Sequence, residues 1–348
     1  MSTPVPPQSK GTLYLVPTPL DFGCPPEYQA PIQDTLPART LAIAARLNYW
    51  VTENAKSTRA FLKRVNTVHG LAQPIQSLSL TELPREIHKK GDHTPGHKPD
   101  SAPQIWLSPA LAGHDIGLIS EAGMPAIADP GSSVVRNAHA LGIDVEVLVG
   151  PVSLMLALAS SGLNGQHFAF VGYLPQDKQA RTVKLRELEN QALKTGQTQI
   201  FIETPYRNEA MVQAAISALQ PQTWFAVSGG LTLASSPSQP TSTTKRQHSA
   251  PIRQWKSTPP HLDMAAPMVF MIGARLFCNS STGGDMSLVR PAPPTSGEPS
   301  HCLTLQHWRA PNQSSPPGIL LYCHSRSACP YSADSTRAHD RSSRQSHR

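Results

Sequence analysis

The sequence predicts an α/β protein built from two successive α/β units and followed by a disordered tail. Three observations carry this. Short apolar runs alternate with segments of helical periodicity, the pattern of a mostly parallel sheet. The runs end in turns rich in Gly and Pro. Beyond about residue 276 the periodicity stops, and Ser, Pro, Arg and His dominate.

Residues 1–10 form a polar, Pro-rich leader. "TLYLVPTP" (12–19) is a short buried strand closed by prolines. "PARTLAIAARL" (37–47) opens a helix on a proline, whose missing N–H has no intrahelical partner to lose there. "YWVTE" (49–53) is a strand, "KSTRAFLKRV" (56–65) a helix and "DIGLIS" (115–120) a strand. The second unit starts with the strand "VEVLVG" (145–150), and Pro151 sits at the first turn of the helix "PVSLMLALASSGL". Strands "HFAFVGYL", "TQIFIE" and "TWFAV" then alternate with helices "KQARTVKLRELENQAL" and "RNEAMVQAAISAL". "PMVFMIGA" (267–274) is one more core strand. The expected domains are 11–135 and 136–275, with a disordered tail at 276–348. Two stretches read as insertions, an exposed one at 88–104 and a low-complexity one at 235–250 that buries too little apolar surface to order itself.

Hydrophobic residues make up 39% of the 348, and 35 are proline, so part of the chain falls outside any packed core. The net charge of +7 favours an anionic partner such as RNA, while the few aromatics argue against a stacking platform. Five widely spaced cysteines argue against a disulfide framework, and Cys302, Cys323 and Cys329 lack metal-site spacing, so no metal is expected. With neither a signal-like leader nor an apolar run of membrane-spanning length, a cytoplasmic protein with no membrane partner is expected.

No P-loop, GxGxxG, GxSxG or HExxH motif is present. Five turns remain, each at the C-terminal end of an expected strand, where open α/β sheets bind ligands. They are "VPTPLDFG" (16–23), "TENAKSTR" (52–59), "SEAGMPAIADPGS" (120–132), "GPVSL" (150–154) and "ETPYRNE" (203–209). Each alone is more often a plain connection; five in one topological position point to a ligand site. Glu53, Glu121 and Glu203 are the acids there that could accept a proton, with Glu53 and Glu121 favoured. Lys56, Arg59 and Arg207 could hold a phosphate, and Tyr206 could stack on a base.

Taken in order, "GTLYLVPTPL", "ENAKSTRAFLKR", "LISEAGMPAIADPG", "LVGPVSLMLALASSGL", "FAFVGYLP" and "IFIETPYRN" resemble the tetrapyrrole methylase superfamily. These are class III S-adenosylmethionine (SAM)-dependent methyltransferases, and the likeness is greatest to the branch that methylates a ribose 2′-hydroxyl of 16S rRNA. It covers residues 11–234 and returns near 251–274. The resemblance implies two α/β domains with SAM in the cleft between them, a homodimer, and rRNA or the 30S subunit as partner. It places Pro17, Thr18, Pro19, Glu121, Ala122, Gly123, Pro125, Asp129, Gly150 and Pro151 around SAM, and Lys56, Arg59, Tyr206 and Arg207 toward substrate.

The chain also departs from that branch. Glu121 and Met124 replace the Asp and Thr of the usual Asp-Ala-Gly-Thr-Pro. Glu53-Asn54-Ala55-Lys56 stands for Glu-Asp-Thr-Arg, resembling a separate bacterial subgroup, and the run after Leu233 turns into low complexity. A same-fold methyltransferase of a small molecule or protein, and a non-catalytic relative, are therefore the alternative readings.

Overall fold

A computed structural model describes residues 9–21, 23–24, 26–84, 103–234, 247–262 and 267–274. They belong to one compact unit spanning Met1–Gly283; the remainder, Gly284–Arg348, lies outside the described residues, as do residues 1–8 of the leader, most of both insertions and the expected tail.

The first five-stranded sheet has the order β3-β2-β4-β1-β5. Its members are β1 (Leu13–Leu15), β2 (Tyr49–Thr52), β3 (Ser79–Glu82), β4 (Ile116–Ile119) and β5 (Val145–Val147). All four pairings are parallel. Successive residues of β1 serve opposite faces, as the two-residue strand period requires. Tyr14 and Val16 join Trp50 and Phe61 in a core under α1 (Ala38–Arg46) and α2 (Ala55–His69). Leu13 and Leu15 join Trp106, Leu118 and Val134 in a core under α3 (Pro103–Leu111) and α4 (Ser132–Ala140). The Asn54 side chain caps α2 by accepting from Lys56 N–H at 2.8 Å.

The second sheet has the order β6-β7-β10-β8-β9. It comprises β6 (Phe168–Tyr173), β7 (Thr198–Glu203), β8 (Trp224–Gly229), β9 (Gln247–Pro251) and β10 (Met268–Gly273). On one face α5 (Ser153–Ser161) packs Leu154 and Ala157 against Ile200 and Met271. On the other, Phe201 and Phe270 meet Leu188 of α6 (Lys178–Thr195), Met211 of α7 (Asn208–Ala218) and Trp255 of α8 (Ile252–Ser257).

Four sequence expectations change. The 145–150 strand was expected to open the second domain, but β5 pairs with β1, so the first sheet continues past the 135/136 boundary and the chain changes sheets after Gly150. The second sheet is mixed, because β10 inserts between β7 and β8, antiparallel to both, and β9 runs antiparallel to β8. Helix α3 begins at Pro103, inside the expected 88–104 insertion. The end of the 235–250 stretch is β9, where Ala250 is buried beside Trp255. Pairing with β8 satisfies the backbone of this segment, which the composition alone does not predict.

Candidate active site

Three turns of the first sheet converge beyond the C-terminal ends of β1, β2 and β4. Thr18 N–H donates to Gly123 O (2.9 Å) and Gly123 N–H to Thr18 O (3.1 Å), so the turns after β1 and β4 form an isolated antiparallel bridge. Glu53, just beyond β2, accepts from Glu121 N–H at 3.1 Å. The loop turns sharply, with Gly123 at φ 79° and Ala126 and Ala128 also at positive φ. An added Cβ at Gly123 would sit 3.0 Å from Leu20 Cδ2 as well as in a left-handed conformation that side chains disfavour. The glycine thus lets backbone lie at the surface of the cleft.

The second half supplies the facing wall. Tyr173 ends β6, Ile202 and Glu203 end β7, Ser228 to Leu231 continue from β8, and Met268 opens β10. With Val152 to Leu154 and the 121–129 loop they enclose a cavity of about 340 Å³, within the range of small-molecule sites. Its lining is apolar at Ile127, Leu231 and Met268 and acidic at Glu53, Glu121, Asp129 and Glu203. Burial, then the charges of Glu53 and Glu121, push the Asp129 carboxyl up to about 8. Burial and the neighbouring acids also raise the Tyr173 phenol. A cation or a hydroxyl proton is electrostatically favoured in such a place. Glu203 is held from behind, its Oε2 accepting from Arg207 at 2.6 Å and its Oε1 from Thr204 N–H at 2.9 Å.

The structure sorts the sequence candidates. Glu53, Glu121, Ala122, Gly123 and Asp129 line the cavity; Pro125 is buried in the same loop without reaching the lining. Gly150 and Pro151 act behind the wall: an added Cβ on Gly150 would fall 2.2 Å from Pro17 Cγ, so the close approach of two turns requires a glycine. Thr18, Pro19 and Lys56 line a second cavity on the other side of Glu121. Arg59 is exposed on α2, away from both linings, and Tyr206 is 82% exposed. Arg207, expected to face substrate, is instead engaged by Glu203 because the short helix after β7 folds it back over that carboxylate. The sequence reading missed Tyr173, the 228–231 turn and Met268. The Gly229-Gly230 pair after β8 was the available signal for the turn.

Among the described residues, no helix is long and apolar enough to cross a membrane. The family model for tetrapyrrole (corrin/porphyrin) methylases matches residues 53–235, which include the cavity's acids and most of its facing wall. A curated "Ribosomal RNA small subunit methyltransferase I" from Vibrio cholerae is 38% identical over 111 residues, 32% of this chain and 37% of that protein. The protein of the same name from Xylella fastidiosa is 30% identical over 208 residues, 60% of this chain and 61% of its own. The chain thus spans less than two thirds of the length of either relative. A solved uroporphyrin-III-C-methyltransferase from Thermus thermophilus aligns at 14% identity with a TM-score of 0.40, covering 76% of this chain and 94% of that one. At that similarity the fold rests on the sheet orders above, and the family on the sequence match. Matched over more than half its length, with the signature turns gathered around one cleft, this chain belongs to the tetrapyrrole (corrin/porphyrin) methylase family.

Proposed function

We propose that the protein is a SAM-dependent methyltransferase acting on a ribose 2′-hydroxyl of small-subunit rRNA. The observation that carries this reading is the cavity between the sheets, which joins a glycine-shaped backbone loop to four carboxylates, one of them paired with Arg207, and an apolar wall. SAM carries cationic sulfonium and ammonium groups beside an adenosine, and this lining suits that mixture: Glu53, Glu121 and Asp129 for the cations, and Ile127, Leu231 and Met268 for the apolar parts. When bound, SAM supplies an electrophilic methyl group. The chain's own residues align the reactants, exclude water and accept the hydroxyl proton. Glu121 is the nominated acceptor, and the hydrogen bond from its backbone N–H to Glu53 fixes the backbone that carries it.

The rRNA assignment draws on the printed names of the relatives and on the +7 charge. A cytoplasmic location and a homodimer belong to the same proposal; the exposed apolar side chains of Val147, Val149, Met155 and Leu156 support the dimer.

Calorimetric titration of SAM into the 348-residue chain tests the cofactor, and transfer of labelled methyl to 30S subunits tests the substrate. Binding followed by label in rRNA that appears as a 2′-O-methyl nucleotide is the expected result. A folded protein that binds no SAM refutes the methyltransferase reading, and binding with no label in rRNA removes the rRNA assignment.

A further inference from the structure

Four carboxylates face the cavity between the sheets, and among the described residues its lining holds no lysine, arginine or histidine. Glu53 follows β2, Glu121 and Asp129 follow β4, and Glu203 ends β7. The other titratable side chains of the lining are Cys24 and Tyr173, the last residue of β6. Tyr206 is close enough to Tyr173 to act on its phenol. Carboxylates gathered in one partly enclosed space repel one another, so ionising all of them is opposed.

The proton has a definite place in this cluster. Glu203 has Arg207 at 2.6 Å and Thr204 N–H at 2.9 Å as partners. Glu53 accepts from Glu121 N–H at 3.1 Å. Asp129 has no hydrogen-bond donor and no ion pair among the described residues. It is half-buried, and burial, then the charges of Glu53 and Glu121, raise its carboxyl to about 8, so it is mostly protonated at neutral pH. The loop that delivers it is held in an unusual shape. Ala126 and Ala128 have φ of 66° and 64°, a left-handed conformation that is costly without glycine and that collects at ligand-binding sites.

We propose that Asp129 is the residue by which this cavity distinguishes the sulfonium cofactor from its neutral thioether product, giving up a proton when the cation enters. The inference rests on the SAM reading of the cavity. SAM and S-adenosylhomocysteine share the adenosine, the α-ammonium and the carboxylate; they differ by one methyl group and one positive charge. A fixed cation inside the acid cluster offsets the repulsion that keeps Asp129 protonated, and ionised Asp129 attracts the cation in return. The thioether brings no such charge, so Asp129 keeps its proton beside it. Binding of SAM therefore releases a proton below about pH 8, and its affinity rises with pH over that range, whereas that of the product does not. The spent cofactor is the weaker ligand, which favours its exchange for SAM.

Isothermal titration calorimetry of the 348-residue chain with SAM and with S-adenosylhomocysteine tests this. Titrations between about pH 6 and pH 8.5, in two buffers of different ionisation enthalpy, count the protons released with each ligand. The SAM-to-product affinity ratio is expected to rise at least about tenfold between pH 6 and pH 8 and to level off above that. In Asp129→Asn, a substitution of nearly the same shape, the ratio should vary less than about threefold over the same range. Near pH 7 the unaltered chain should release about one proton more with SAM than the variant does, a comparison in which the ligand's own titration cancels. A ratio independent of pH in the unaltered chain overturns the proposal without recourse to any variant. A proton count unchanged by the substitution also overturns it, because the proton then comes from another acid. If the folded chain binds neither ligand, the cofactor reading has failed and this proposal falls with it; binding of both with equal proton release removes this inference alone.

Discussion

Replacing Arg207 by Met should destabilise the protein strongly. The Glu203 side chain is fully buried and Arg207 is 16% exposed, with 2.6 Å between Nη2 and Oε2. At an effective dielectric near 20, charge centres ~4 Å apart attract by about 4 kcal/mol. Removing one partner of a buried pair costs roughly 3–5 kcal/mol, because the other charge is left unpaired. Thr204 still donates two hydrogen bonds to Glu203, at 2.9 and 3.3 Å, and Arg207 Nε lacks a partner among the described residues, so the lower end applies. A loss of about 3 kcal/mol corresponds to roughly 6–12 °C in Tm for a unit of this size. Urea unfolding followed by circular dichroism reads the loss. The double variant Glu203→Gln/Arg207→Met should recover most of the loss. A deficit below about 1 kcal/mol for Arg207→Met alone would refute the reasoning, since the buried carboxylate would not then depend on this arginine.

Asp129 gives a pH signature. Its folded carboxyl, near 8, lies far above the ~4 of an unfolded chain, so the folded state holds the extra proton between those values. Its contribution to stability is therefore present below pH ~4 and lost as pH rises to ~8. Asp129→Asn should flatten the stability profile across pH 5–8; unfolding curves whose pH dependence matches wild type would contradict this. Gly150→Ala should cost about 2 kcal/mol or more, because its Cβ would overlap the Pro17 ring, which cannot rotate away. Thermal unfolding measures it, and a Tm within 1–2 °C of wild type, equivalent to well under ~1 kcal/mol, would show that the two turns separate freely.

The sequence alone determined most of the elements and the general place of the site. Apolar runs at 13–15, 116–119 and 268–273 became buried strands, because a strand buried on both faces reads as uninterrupted apolar sequence. Turns ending such strands lie at a known position in an α/β sheet, and Glu53, Glu121, Gly123 and Asp129 do line the cleft. The polar edge strands β3 and β9 escaped notice, since a partly exposed strand lacks that pattern. Only the tertiary structure decided which sheet each strand joins. The pairing of β5 with β1 and the insertion of β10 between β7 and β8 depend on contacts between residues far apart in the chain. It also decided the electrostatic roles: Arg207 and Glu203 are near neighbours in sequence, yet only the fold buries them together, and Tyr173 and Met268 reach the acids of the first sheet through space alone. Local chemistry fixes what a segment can become, whereas burial and long-range pairing fix which of its side chains remain available to a ligand.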